Sequence, residues 1–338
     1  WGRIGFTQVD SLQMFYPIIG VVGVSFIALS LSALVVVRPK YAFLFIPILA
    51  LSFFDVNLNT PSGKTLKIVA VQGSVPQLGL EFNQRALAVL NNHIDATPTQ
   101  SNADLIIWPE NASDLDPIRT KAIADKIANL KEKGGVDLLI GAVLDGKNGP
   151  ENAAIHYRSS GETVKYVKRD LAPFGEYIPL RTLAEKISPL ARNVVDFQPG
   201  KVRQIFKVKT GEFIPLICFE LLDDQVFTES ASESNFLVSM TNNATFGKSP
   251  EAAQQFLIAR VRAYEMRKEA AVVSTTGFTG FINSKGGVAL QAEQFQSTAL
   301  SKETTLLNYR TPISRHRSAP EFAVILIFAI TFLRRKNG

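Results

Sequence analysis

Phe213-Ile214-Pro215-Leu216-Ile217-Cys218-Phe219-Glu220 is the stretch from which the fold is read. A short apolar run bounded by turn-forming and polar residues reads as a buried strand. Strands of this kind belong to layered folds in which helices cover a sheet. The run stops at Cys218, the one cysteine of the chain. A sole thiol forms neither an internal disulfide nor a multi-cysteine metal site. Two readings remain open for it, an inert buried residue, which is the commoner state of free cysteine, and a nucleophile.

Outward from this run the same alternation repeats. Strand patterns cover 66–71, 104–108, 136–141, 204–208, 235–241, 270–275, 280–283 and 288–291, and 153–157 with 163–167 reads as a hairpin around Ser160-Gly161. Helical spacing covers 82–94, 117–133, 223–232 and 251–267. Strands alternating with helices predict an α/β layered fold. No internal repeat or low-complexity segment interrupts it.

The chain has 338 residues, room for one large domain or two modest ones. Apolar residues make up 46% of it and gather at the two ends. The net charge is +6, much of it from Arg315, Arg317, Arg334, Arg335 and Lys336. No basic stripe is interleaved with aromatics, so nucleic acid is not an expected partner. Residues 14–37 carry no charge and are long enough to cross a bilayer as a helix. Two shorter charge-free runs, 41–54 and 322–333, are read as spans because the charges agree. Arg38 and Lys40 separate the first two, and Arg334-Arg335-Lys336 follow the third. The positive-inside rule puts both clusters in the cytoplasm and the segment from about 55 to 320 on the far side. The expected organisation is a membrane region over 1–60, a catalytic domain over 61–312, and a C-terminal span with a basic tail over 313–338. The chain begins at Trp1 rather than methionine, which suggests a piece of a longer protein.

Three polar residues stand at predicted strand ends. Glu110 follows Leu105-Ile106-Ile107-Trp108-Pro109, Lys168 follows Val164-Lys165-Tyr166-Val167, and Cys218 follows Ile214 to Ile217. In open α/β folds ligands bind at the carboxyl ends of strands. A desolvated carboxylate can take a thiol proton, and an ammonium can meet the oxyanion that forms when sulfur attacks a carbonyl. Together the three are chemically sufficient for acyl transfer. Singly, each has a plainer reading: a surface acid, a surface lysine, a core thiol. His93, His156 and His316 show no metal-ligand spacing, and there is no Gly-x-Ser-x-Gly elbow and no phosphate-binding glycine loop.

The segments Leu105 to Glu110, Lys168-Arg169-Asp170-Leu171-Ala172-Pro173-Phe174-Gly175-Glu176 and Ile217-Cys218-Phe219-Glu220 resemble the three catalytic blocks of the nitrilase, or carbon–nitrogen hydrolase, superfamily. The Pro-Phe-Gly-Glu form of the second block and the flanking apolar runs are similar to its apolipoprotein N-acyltransferase branch. So are 1–8, 241–247 and 260–265, and, more loosely, 20–30. The resemblance implies an αββα sandwich facing the periplasm on membrane helices of the bacterial inner membrane, working without a cofactor or metal. It implies Cys218 as acyl-accepting nucleophile, Glu110 as general base and Lys168 as oxyanion partner, with Glu176 and Glu220 orienting the lysine and shaping the pocket. The implied partners are the lipid bilayer, a phospholipid acyl donor and the diacylglyceryl-cysteine of an apolipoprotein. The chain departs from the family at Asp170, where histidine is usual. It departs again at Asn242-Asn243-Ala244-Thr245-Phe246-Gly247, where the usual Asp and Trp are missing, and in showing fewer spans. A membrane-tethered amidase with the same triad, and a non-catalytic membrane-anchored interaction module, are the competing readings.

Overall fold

The computed structural model describes residues 2–52, 61–75, 82–99 and 101–336. Two helices come first, α1 (Tyr16–Val37) and α2 (Ile46–Ser52). The α/β region then runs β1 (Pro61–Gln72), α3 (Phe82–Ala96), β2 (Leu105–Ile107), α4 (Lys121–Gly134), β3 (Asp137–Gly146), β4 (Gly149–Tyr157), β5 (Thr163–Val167) and α5 (Arg181–Ile187). It continues with β6 (Phe206–Val208), β7 (Gly211–Phe213), β8 (Leu216–Ile217), α6 (Asp224–Ser232), β9 (Leu237–Thr241) and α7 (Glu251–Met266). Last come β10 (Ala270–Ser274), β11 (Gly280–Ile282), β12 (Val288–Gln291), β13 (Thr298–Leu307), α8 (Pro312–Arg315) and α9 (Ala319–Lys336).

The strands form a six-stranded sheet in the order β13-β1-β2-β3-β4-β5, a five-stranded sheet in the order β12-β11-β10-β9-β8, and the small hairpin β6-β7. Each large sheet contains a run of three parallel strands, β1, β2 and β3 in the first and β8, β9 and β10 in the second. Side chains alternate across a strand, and both faces here are apolar. Ile68, Ala70, Ile107 and Leu139 meet Ile217, Val238, Met240 and Val273 between the sheets. Val69, Val71, Ile106 and Ile140 point the other way, onto Leu90 of α3 and Ile123 and Ile127 of α4. Leu216, Leu237 and Val272 pack beneath Phe227 of α6 and Ile258 and Val261 of α7. Each fully buried aliphatic side chain contributes roughly 1.5–3 kcal/mol, and two apolar faces per sheet require a helical cover on each outer side. The result is the αββα sandwich.

Several elements differ from the sequence reading. Pro215 has no N–H to give a ladder, and the 213–217 run divides there: β7 pairs with β6, while β8 joins β9 in the second sheet. β13 is not anticipated, because Ser301, Lys302 and Glu303 break its apolar pattern, yet it pairs with β1 over most of its length. The short helix α5 is also unanticipated.

The apolar ends join the core only in part. The first half of α1 packs on α7 through Tyr16, Val21, Val24 and Ala28, whereas Leu29, Val36 and Val37 are exposed. On α9, Phe322, Ile325, Leu326, Phe328 and Phe332 are all exposed. Such faces are not those of a buried core helix. Gln13–Val37 is long and apolar enough to cross a membrane, and Ala319–Leu333 is a shorter apolar helix. In the 41–54 run, Pro39–Phe45 forms a 3-10 helix that leads into α2, and residues 53 and 54 lie outside the described residues. Pro61 pairs with Leu307, so the chain approaches and leaves the sandwich at one end.

Candidate active site

Glu110 follows β2 and is placed from beneath. Trp108 N donates to Leu139 O at 2.8 Å, and the buried Trp108 indole donates to Thr97 Oγ1 at 2.9 Å. The turn then crosses β3 where Gly141 has no side chain. A Cβ there would lie 2.2 Å from Pro109 O and 2.6 Å from the Glu110 Cα. Lys168 continues β5 past its end, its N–H donating to Asn152 O of β4 at 2.8 Å. Cys218 follows β8 with φ +50°, a left-handed conformation that costs a non-glycine residue of order 1–3 kcal/mol. Glu220 helps hold it there, accepting from the Ile217 N–H at 2.8 Å.

Within the fold the three strand ends converge. Lys168, 1% exposed, sets its Nζ 3.3 Å from Glu110 Oε1 and 2.7 Å from Glu176 Oε2. The Asn152 amide donates to both carboxylates, at 2.7 Å to Glu110 and 2.6 Å to Glu176. Asn242 N donates to the second oxygen of Glu110 at 2.7 Å, and Ala172 N to Glu176 at 2.7 Å. Both carboxylates thus point at one buried ammonium. Their field raises the lysine above its ordinary range in spite of burial, and it stays charged.

Cys218 is half-buried and close enough to this group to feel the charges of Glu110 and Lys168. Desolvation, then the Glu110 anion, pushes its thiol up to about 12, with Lys168 and Gln255 acting the other way. A thiol so placed keeps its proton at neutral pH and requires a base at the moment of attack.

Glu176 lies against Lys168, but Glu220 does not. It is fully buried and accepts from Tyr166 Oη at 2.5 Å, Arg169 N at 2.7 Å and Ile217 N. It therefore ties the end of β5 to the end of β8 and so sets the lysine and the cysteine relative to each other. Asp170, at the position where the family pattern has histidine, is pushed up to about 6 by burial and by Asp223.

Sequence reasoning missed Asn152, Asn243 and Gln255. Each is a buried amide; the one available signal was for Asn243, which lies within the 241–247 block. Among the described residues no group of three His, Cys, Asp or Glu side chains could hold a metal ion.

Comparison with known proteins places this geometry. The model of the family described as carbon-nitrogen hydrolase matches residues 70–307. The apolipoprotein N-acyltransferase of Methylococcus capsulatus is 29% identical over 356 residues, which take in 100% of this chain and 70% of that protein. The one from Mycolicibacterium smegmatis is 30% identical over 280 residues, 78% of this chain and 46% of that protein. Among solved structures, a CN-hydrolase superfamily protein from Xanthomonas campestris superposes with a TM-score of 0.55 at 16% identity, covering 75% of this chain and 94% of that one. An amidase of the nitrilase superfamily from Nesterenkonia gives 0.55 at 14%, covering 78% and 98%. At these identities the structural likeness is one of fold.

Proposed function

The chain belongs to the carbon–nitrogen hydrolase family, and from that premise we propose that it is an apolipoprotein N-acyltransferase using Glu110, Lys168 and Cys218. The observation that carries the reading is the buried Glu110–Lys168 pair beside the chain's one cysteine. Relatives named apolipoprotein N-acyltransferase match along the whole chain and narrow the class from hydrolysis to lipoprotein N-acylation. Two further features suit lipid substrates. The exposed apolar faces of α1 and α9 suit a membrane anchor, and an apolar cavity of about 330 Å³ opens beside Phe174, next to the Glu176 turn. On this reading residues 61–312 form the catalytic domain, on the periplasmic side of a bacterial inner membrane that the chain crosses more than once.

The chemistry runs in two halves. Glu110 takes the thiol proton as Sγ attacks the ester carbonyl of a phospholipid. The carbonyl electrons move onto oxygen, and the Lys168 ammonium meets that charge in a site nearly free of water. Collapse breaks the ester C–O bond, and Glu110 returns the proton to the leaving alcohol, so a lysophospholipid departs and a thioester remains on Cys218. The α-amine of the diacylglyceryl-cysteine then attacks the thioester. Glu110 takes the amine proton and passes it to the departing sulfur. An ester has become an amide, the enzyme is restored, and the kinetics are ping-pong. Glu176 holds the ammonium in place throughout.

The test uses a phospholipid with a labelled acyl chain and no acceptor. The wild-type chain is expected to take up hydroxylamine-sensitive label, and Cys218→Ala to take up none. Turnover of small soluble amides without labelling would favour the amidase instead, and neither activity would favour a non-catalytic module.

A further inference from the structure

Behind Cys218 lies a line of buried polar side chains that the triad does not use. Gln255, in the first half of α7 and 5% exposed, sets its Nε2 3.4 Å from Cys218 Sγ. Its Oε1 accepts from Asn243 Nδ2. Asn243 Oδ1 in turn faces Ser274 Oγ at 2.6 Å and Thr241 Oγ1 at 3.2 Å. The line closes on the backbone N–H of Gly277, which donates to Ser274 Oγ at 2.9 Å.

The polarity of this line follows from its last member. A backbone N–H only donates, so Ser274 Oγ accepts from Gly277, and the one proton of its hydroxyl goes to Asn243 Oδ1, the acceptor 2.6 Å away. Asn243 must then present its carbonyl to Ser274 and its NH2 to Gln255. Gln255 must present its carbonyl to Asn243, which leaves its NH2 facing the sulfur. Gly277 also makes room for the arrangement, since a Cβ there would lie 2.1 Å from Asn243 Oδ1. Flipping the Gln255 amide would set two carbonyl oxygens, or two NH2 groups, against each other in a dry site, which buried polar groups do not tolerate.

We propose that Gln255 is a further catalytic residue, donating a fixed hydrogen bond to Cys218 Sγ that favours the thiolate during attack and again when sulfur leaves the thioester. This rests on Cys218 being the nucleophile. Hydrogen bonds to charged acceptors are the strong ones, and a donor that can only donate stabilises the anion over the thiol. The charge of Lys168 reaches the same sulfur, but its ammonium is held by two carboxylates, so Gln255 supplies a neutral donor that no carboxylate competes for.

Because Cys218 is the only cysteine, any thiol reagent reads it alone. The experiment measures the pH profile of iodoacetamide alkylation for the wild type, Gln255→Met and Gln255→Glu, with thermal unfolding as a check on folding and acyl-enzyme formation measured in parallel. Met keeps the length of the side chain and removes the donor. Glu keeps the acceptor toward Asn243 and turns an oxygen to the sulfur. At a fixed pH well below the midpoint the alkylation rate is expected to fall about tenfold in Gln255→Met and further in Gln255→Glu, with acyl-enzyme formation at neutral pH slowed roughly tenfold or more, as befits a lost bond to a charged group. Unchanged alkylation and acyl-enzyme rates in both variants, with Cys218→Ala inactive, would overturn the role of Gln255 and leave the nucleophile standing. A Cys218→Ala chain that still transfers acyl groups would overturn the nucleophile and the role of Gln255 with it.

Discussion

At the scale of single residues, Asn152 shows how the site holds three charges in a small dry volume. Two carboxylates face one ammonium, so the group carries an excess negative charge. The Asn152 amide answers it by donating to both acids. Replacing Asn152 by Leu leaves two acids repelling across a single lysine, and each then competes for Nζ. Formation of the acyl-enzyme is expected to slow by about 10²-fold, the lower end of what a positioned general base contributes, with a lowered melting temperature. Asn152→Asp adds a third negative charge and is expected to be worse on both counts. A Leu variant with wild-type rates would show that Lys168 alone orients Glu110. Neither Asn152 nor Gln255 could be picked out from the sequence, because an amide looks the same there whether it faces solvent or a buried polar group.

At the scale of elements, the site depends on two close approaches of backbone to backbone. Gly141 of β3 lets the Pro109-Glu110 turn cross it, and Gly200 lets its own loop pass Val167, where a Cβ would sit 2.1 Å from the carbonyl oxygen. The neighbours in both cases are main chain, which cannot rotate aside. Gly141→Ala therefore has to push the Glu110 turn away from β3. Overpacking of this kind costs about 1–3 kcal/mol, and a displacement of about 1 Å in the base costs on the order of 10²-fold in rate. Urea unfolding and acyl-enzyme formation are expected to show both losses together. An intact rate in a destabilised Gly141→Ala chain would separate the packing of β3 from the placing of Glu110. Most strands and helices were legible from apolar periodicity. β13 was not, since an edge strand with one wet face carries charges that hide its alternation.

For the whole molecule, the question is how the apolar N-terminal helix is joined to the sandwich. At Gly20, φ +63°, α1 breaks, and the Val21 N–H freed there donates to Glu265 of α7 at 3.1 Å. Glu265 also pairs with Arg262 at 2.7 Å, and Arg262 reaches Asp224 at 2.6 Å and the carbonyl of Leu221 at 2.8 Å, at the end of the turn that Cys218 begins. The guanidinium stacks on Phe6 and Phe227. A chain of buried contacts thus runs from α1 to the turn that begins at Cys218. Removing one member of a buried ion pair costs roughly 3–5 kcal/mol, so Glu265→Ala is expected to lower stability by that order and to expose the α1 junction to protease. Gly20→Ala places a Cβ 2.6 Å from the Glu265 carboxylate in a backbone conformation unfavourable to alanine, and should give a similar loss. The two effects should not add in the double variant, because they break one contact; full additivity in urea unfolding would sink the coupling. By itself the sequence determined the layered α/β class, the apolar ends and the three chemically competent residues. These rest on periodicity, uninterrupted runs and side-chain chemistry, all properties of short segments. Only the tertiary structure decided that Glu110, Lys168 and Cys218 share one volume, that Glu176 rather than Glu220 holds the lysine, and that Asn152, Asn243 and Gln255 complete the setting. Those outcomes depend on distances between residues far apart in the chain, which are set when two sheets close on a common core and which no local pattern encodes.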